Sequence, residues 1–521
     1  MNQSSIFNPT LLKKIGILAL PVMLSNLLQT LITVIDTIMI GQLGPISIAA
    51  VGMANTLRLF ILITLLSVAG GAISLIAQAK GSRDKTQMSF VARQAIVSGL
   101  MISLILGVIG YLLAYPLLDL MNQGGEQEAV TIGTAYLKII FLGTPFLVLN
   151  IVTNKLMQGA GDMITPLLIT IAVVLLNVLF NYLFIFGYGP IPAYGVVGAA
   201  FGTILARVLL LIVTLWLFLS GKNVIHILKG SWRPHWKMIQ DILAIGVPSG
   251  IQGIFRHASN LVIIGIVTAT SLGTYGAAVL AIGMQVEQII AQPIVGMNVA
   301  ATSLIGQDLG KWQTQQAYEK GIIFTIMGCI AMMILVLPAY IYAAEIIGLF
   351  DPSGHPLILE GGISYFRYTL VALGFSSVGI ILTGTLRGAG DTKPAMYSAI
   401  FNRNIVQLGV AYLLAFPLGM GYIGAWFGII AGRVLDSIVM SYIWIKQNWQ
   451  KVALEKTTIF RTHLQHLSPP NLQRYLEEVR TPMMKISGTL EKVSSNEVIY
   501  QQGDLDKVIR FEKGDFRMEV N

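Results

Sequence analysis

Asp36, Asn177, Asn181 and Thr203 are the residues whose types and placement best support chemistry in this chain, because each interrupts a long apolar run. A carboxylate among apolar neighbours is costly to keep ionised, so it can take up and release a proton near neutral pH. Amides and hydroxyls can hydrogen-bond either protonation state, and Asn177 and Asn181, four residues apart, share one helix face. Proton or cation coupling at Asp36, with Asn177, Asn181 and Thr203 lining the site, is therefore one reading. Plain interhelical hydrogen bonding by the amides and the hydroxyl is the equal alternative. Asp36 itself favours function, since acids inside membrane spans are expensive to keep there.

A second polar set holds Arg256, His257 and Glu287. An Arg256–Glu287 ion pair would serve as a structural brace or as part of a substrate or ion site, and a lone His257 reads as a hydrogen-bonded packing residue. Arg433 and Asp436, three apart, read as a local structural pair. No cluster of His, Asp, Glu or Cys has metal-ligand or triad spacing, so neither an enzyme nor a bound metal or cofactor is expected. Cys329 is the only cysteine in the sequence, which excludes an intramolecular disulfide.

The elements that must position these residues are membrane helices. Of 521 residues, 55% are hydrophobic and 11% charged, and the mean hydropathy is +0.72, which all but excludes a water-soluble fold. Runs of the roughly 20 residues a bilayer requires fall at 15–42, 46–78, 91–114, 131–157, 164–187, 196–220, 240–270, 276–307, 319–343, 361–386, 394–417 and 421–446. The first run is longer than a signal-peptide core and is expected to be retained.

Alternate connections carry the basic residues: Lys13 and Lys14, then Lys80, Arg83 and Lys85, then Lys222, Lys229, Arg233 and Lys237, then Lys311 and Lys320, then Arg387 and Lys393. The connections between them hold Asp119, Glu126, Glu128, Glu345, Asp351 and Glu360 and no Lys or Arg. The positive-inside rule then places both termini in the cytoplasm. The net charge of +9 is thereby a topology signal, and no nucleic-acid partner is expected.

Self-comparison shows a repeat. Ala72–Gln78 recurs as Ala301–Gln307, and Gly159-Ala160-Gly161-Asp162 recurs as Gly388-Ala389-Gly390-Asp391, both shifted by 229 residues. Gly195, Gly198, Ala199, Phe201, Gly202 and Arg207 recur as Gly421, Gly424, Ala425, Phe427, Gly428 and Arg433, shifted by 226. Pro21 and Pro248, 227 apart, are the expected helix kinks. The expectation is an all-α membrane protein of twelve transmembrane helices in two tandem six-helix lobes, at 1–220 and 240–450, with a loop at 221–239 between them and a cytoplasmic tail at 451–521. Six spans per copy make the repeat parallel, related by an axis along the membrane normal. The Gly-Ala-Gly-Asp turns lack the Lys-Ser/Thr of a phosphate loop, and Asp162 and Asp391 are expected helix caps.

Over roughly residues 10–450 the sequence resembles the MATE family of multidrug and toxic compound extruders. The resemblance rests on the paired Gly-Ala-Gly-Asp turns, Gly41-Gln42-Leu43-Gly44, Ser303–Gln307, and Asp36-Thr37 fifteen residues after Pro21, the last in the manner of the DinF-like branch. It implies a two-lobe exporter of amphipathic organic cations, driven by protons or sodium. Acidic residues of the NorM-like branch fall here on Arg256 and near Ser376, and a span-five Asn/Asp pair is here Asn177 and Asn181, so the resemblance implies protons at Asp36 in preference to sodium.

In the tail, Leu467–Pro470, Asn496–Asp504 and the alternating segment 508–520 resemble the opening of a cyclic-nucleotide-binding β-roll, as a truncated remnant for which no nucleotide is expected. The functional expectation is a monomeric, multi-pass antiporter of the plasma (inner) membrane, contacting lipids and small organic substrates. Its nearest rival is a flippase for a lipid-linked or polysaccharide precursor.

Overall fold

The computed structural model describes residues 9–122, 126–228, 230–350 and 355–456, and four strands between 488 and 520. The N-terminal lobe consists of α1 (Pro9–Gly41), α2 (Pro45–Gly81), α3 (Lys85–Asn122), α4 (Gln127–Leu142), α5 (Thr144–Gly159), α6 (Ile164–Phe186) and α7 (Val196–Ser220). The C-terminal lobe consists of α8 (Trp236–Thr268), α9 (Tyr275–Gly310), α10 (Thr314–Ile341), α11 (Ala343–Phe350), α12 (Pro356–Gly388), α13 (Lys393–Ala399), a π-helical stretch (Ile400–Gln407), α14 (Leu408–Ala415) and α15 (Tyr422–Ile445), followed by α16 (Asn448–Lys456). Proline opens α1, α2 and α12, where its missing N–H costs nothing, and glycine closes α1, α2, α5, α9 and α12. Pro21 and Pro248 lie inside α1 and α8, each assigned as one continuous helix.

Nine of these helices are individually long and apolar enough to cross a membrane among the described residues. A tenth crossing is the pair α4 and α5, bent by 51° at Gly143. The 37-residue α2 and the composite α13–π–α14 complete the twelve spans that the hydropathy predicts. The bend has a local cause: Pro145 follows Gly143 and cannot donate to the preceding turn. Its counterpart α12 runs unbroken for 33 residues.

Each lobe has its own core, and each lobe's first helix begins in the other's. Ile15 and Ala19 of α1 belong to the buried cluster of the C-terminal lobe, with Leu280, Phe324 and Trp426. Met238, Ile242 and Ile245 of α8 belong to that of the N-terminal lobe, with Val91, Val152 and Phe218. The connection at 221–235 also packs on the N-terminal lobe: Ile225 and Ile227 are buried there, and Gln94 bonds both the Arg233 carbonyl and the His235 N–H.

The twin motifs meet reciprocally across the seam. Ser74 and Gln78 of α2 donate to the Gly388 carbonyl at 3.3 and 3.1 Å. Ser303 and Gln307 of α9 donate to the Gly159 carbonyl at 3.1 and 3.3 Å. Each pair thereby satisfies a carbonyl left open at a helix C-terminus of the opposite lobe. Gly81 lies against the Gln307 carbonyl and Gly310 against that of Gln78, so closely that a Cβ on either would overlap the facing backbone. The inter-lobe hydrogen bonds of Ser74, Gln78, Ser303 and Gln307 thus sit together at one end of the bundle, the end of the basic loops. Asp162 caps α6 as expected, accepting from the Thr165 N–H at 3.0 Å.

In the tail, β1 (Gly488–Ser494), β2 (Glu497–Gln502), β3 (Lys507–Glu512) and β4 (Asp515–Val520) form an antiparallel meander in chain order. β2 lies within Asn496–Asp504 and β3 and β4 span the alternating segment 508–520, whereas β1 falls outside the segments singled out from sequence. Leu467–Pro470 lies outside the described residues.

Candidate functional site

In the N-terminal lobe the four residues singled out by type do converge. The Asn181 amide donates to Asp36 Oδ1 at 2.7 Å and to Asn177 Oδ1 at 3.3 Å, and the Asn177 amide donates to Thr203 Oγ1 at 3.0 Å. One chain of hydrogen bonds thus links α1, α6 and α7. Asn177, Asn181 and Thr203 are buried, whereas Asp36 is half-buried. The approach of α7 to α6 depends on Gly202, where any side chain would collide with the Asn181 amide. One buried acceptor, Asn181 Oδ1, has no partner in this arrangement.

Two cations act electrostatically on Asp36 without forming an ion pair with it: Arg58 of α2 and Arg207 of α7. Arg58 is hydrogen-bonded to the buried Tyr136 of α4. Type and depth alone did not reveal Arg58 or Tyr136, because both sit inside apolar runs that read as plain spans. Arg207 did carry a signal, since it recurs as Arg433.

The C-terminal lobe corrects the expectation for Glu287. Its partner is Arg433, in a two-pronged ion pair: Nη2 to Oε2 at 2.6 Å and Nη1 to Oε1 at 3.0 Å. The Tyr365 hydroxyl donates to Oε1 at 2.8 Å, Thr369 donates to it at 3.3 Å, and Arg433 also donates to the Thr369 carbonyl at 3.0 Å. Geometry of this kind makes a charge-assisted pair strong and directional. Arg256 forms no ion pair among the described residues, so the Arg256–Glu287 brace does not occur. The physical reason is the order of helices around the lobe: α9 packs against α12, and α12 against α15, which sets Arg433 beside Glu287.

The local Arg433–Asp436 pair is likewise not formed. Asp436 accepts from Ser398 at 2.6 Å and Asn402 at 3.4 Å, with Arg403 of the π-helical stretch acting on it electrostatically. Among the sites named from sequence, Asp36, Asn177, Asn181 and Thr203 are brought together, Glu287 is locked in a separate network, and Arg256 stands apart from both. Pro21 and Pro248 contribute no polar group to either. The arginine that recurs between the repeats is ion-paired with the acid Glu287 in the C-terminal lobe and acts on Asp36 only electrostatically in the N-terminal one.

The MatE family model matches residues 21–183 and 248–413, one match in each lobe. A protein of Thermotoga maritima described as "Probable multidrug resistance protein NorM" is 26% identical over 456 residues, covering 86% of this chain and 95% of the relative. "Uncharacterized transporter YisQ" of Bacillus subtilis is 26% identical over 465 residues, covering 86% and 98%. Among solved structures, a MOP superfamily transporter from Pyrococcus furiosus, described as having a binding pocket of reverse polarity, is 27% identical with a TM-score of 0.75 over 85% of this chain and 97% of that one. An outward-facing multidrug resistance MATE transporter is 28% identical with a TM-score of 0.76 over the same shares.

Proposed function

We propose that this chain, which belongs to the MatE family, exports small amphipathic organic compounds by alternating access between its two lobes, driven by protons exchanged at Asp36. In this reading the basic end faces the cytoplasm of a plasma (inner) membrane, and the seam closed by Gln78 and Gln307 is the cytoplasmic gate. Loss of a single hydrogen bond frees Asp36, whereas Glu287 is held by an arginine fork. That contrast carries the proposal.

The chemistry follows from the donors and acceptors on the page. Ionised, Asp36 accepts from the Asn181 amide. Protonated, it gains an O–H that needs an acceptor, and Asn181 Oδ1, buried and unpartnered, is at hand. The proton therefore rearranges the Asp36–Asn181–Asn177–Thr203 chain and with it the packing of α1 against α6 and α7. One charge crossing 100 mV is worth about 2.3 kcal/mol, or roughly fifty-fold in concentration, so a single coupled acid suffices for useful export. The resemblance implies organic cations as cargo; bases without ion pairs at the seam favour the opposite sign.

The test is uptake of fluorescent organic dyes of both charges into inside-out vesicles under an inward-acidic gradient. Wild type is expected to accumulate dye and Asp36→Asn, correctly inserted, to lose at least ten-fold of the gradient-driven rate. Equal uptake by both removes Asp36 from coupling. No gradient-driven uptake by wild type removes proton-driven export.

A further inference from the structure

Three basic side chains of the bundle helices, Lys155, Arg256 and Arg387, form no ion pair among the described residues. Lys155 of α5 donates to Gln158 Oε1 at 2.8 Å. Arg387 of α12 has one long bond, 3.5 Å to Asn298 Oδ1, and its buried Nε has no partner. Arg256 of α8 has an exposed side chain. Arg387 acts electrostatically on Lys155 and Arg256 acts on Arg387, and among the described residues no carboxylate forms an ion pair with any of the three.

Their placement spans the seam. Gln158 and Arg387 hold equivalent places in the two repeats, each one residue before the glycine whose carbonyl is latched by the other lobe. Arg387 Nε lies beside Gly70 of α2, whose other neighbour is Ser249 of α8. Arg256 is seven residues further along α8, about 10 Å at about 1.5 Å per residue. The cations thus run from the latched seam along α8, with one contributed by the N-terminal lobe and two by the C-terminal lobe.

Cations in a low-dielectric interior are destabilising unless paired, and three within range of one another add mutual repulsion. Arg433 shows the usual remedy in its ion pair with Glu287, whereas Asp436 acts on Arg403, and Asp36 on Arg58 and Arg207, electrostatically and without an ion pair. We infer that Lys155, Arg256 and Arg387 form an anion site between the lobes and that the cargo carries a carboxylate, sulfonate or phosphate group. This inference rests on the exporter reading and names its cargo class. An arginine pair offers such groups planar, two-pronged recognition, and the site's position on the latch lets bound cargo bias the gate.

The test needs no gradient, so it stands or falls separately from coupling at Asp36. The full chain, purified into nanodiscs of zwitterionic lipid, is titrated with pyrene trisulfonate and with an organic cation such as rhodamine 6G, followed by anisotropy. The trisulfonate is expected to bind, more weakly as salt rises, and Arg256→Gln or Arg387→Gln to weaken it at least ten-fold. Arg387→Lys, which keeps the charge, should recover most of the affinity and shows that the loss is not misfolding. Nanodiscs rich in phosphatidylglycerol separate the sources of the anion: competition with the dye assigns the site to a lipid headgroup, undiminished binding to a soluble anion. Tight rhodamine binding that Arg256→Gln and Arg387→Gln leave unchanged, or no binding of the trisulfonate to folded wild type, overturns the inference.

Discussion

The two lobes repeat one fold yet treat their intramembrane acids in opposite ways. Glu287 is fixed by four hydrogen-bond contacts from Arg433, Tyr365 and Thr369, the arginine taking both carboxylate oxygens. Asp36 is held by one amide, with its arginines at a distance. The backbones differ in the same sense of place: the fourth span is bent in the N-terminal lobe and straight in the C-terminal one, while the fifth span of the C-terminal lobe, and not that of the N-terminal one, contains a π-helical stretch. A duplicated scaffold can therefore keep one lobe as a brace and adapt the other to move. The latch, by contrast, is equal on both sides.

The largest effect should come from breaking the brace. Glu287→Ala leaves Arg433 buried and unpaired, a change that costs about 3–5 kcal/mol, and thermal unfolding in detergent should show a corresponding loss of stability. Replacing both partners, Glu287→Met with Arg433→Met, should restore most of it, since an apolar pair of similar volume avoids the stranded charge. If the double variant is no better than the single, Glu287 and Arg433 do more than brace.

Next in size is the latch. Gln78→Ala and Gln307→Ala each remove one hydrogen bond worth about 0.5–1.5 kcal/mol, and together they should shift the gate equilibrium by roughly ten- to one hundred-fold towards opening at the basic end. Spin labels at Ser82 and Trp312 would report the change as a longer distance. The two single variants should match each other; a large difference would contradict the symmetry of the seam. The smallest effect is expected at the far end of the Asp36 chain. Thr203→Val removes the one hydrogen bond from the Asn177 amide and should lower stability by about 0.5–1.5 kcal/mol, less than the two latch bonds together, while changing coupling less than Asn181→Ala, which removes the direct contact.

All twelve spans were legible in the sequence, because hydropathy reports burial in lipid directly and each basic connection marks one side. The grouping of Asp36, Asn177, Asn181 and Thr203 was legible too, from their polar types inside apolar runs and the four-residue spacing of the asparagines. The mispairing of Glu287 with Arg256 arose because depth does not say which helices are neighbours within a lobe. Ser74, Gln78, Gly159 and their copies stood out as a repeat, but a repeat does not reveal that its two halves bind each other. Lys155, Arg58 and Arg403 were hidden inside apolar runs, and Arg387 read as a loop charge although its side chain turns back into the bundle.

The central claim, that the mobile acid couples and the locked acid braces, is tested most directly by cargo-driven proton flux in proteoliposomes, measured side by side for wild type, Asp36→Asn and Glu287→Gln. Cargo added to wild type should move protons, Asp36→Asn should bind cargo and move none, and whatever Glu287→Gln protein remains folded should still couple. Proton flux that survives in Asp36→Asn, or that disappears in folded Glu287→Gln, would contradict the account.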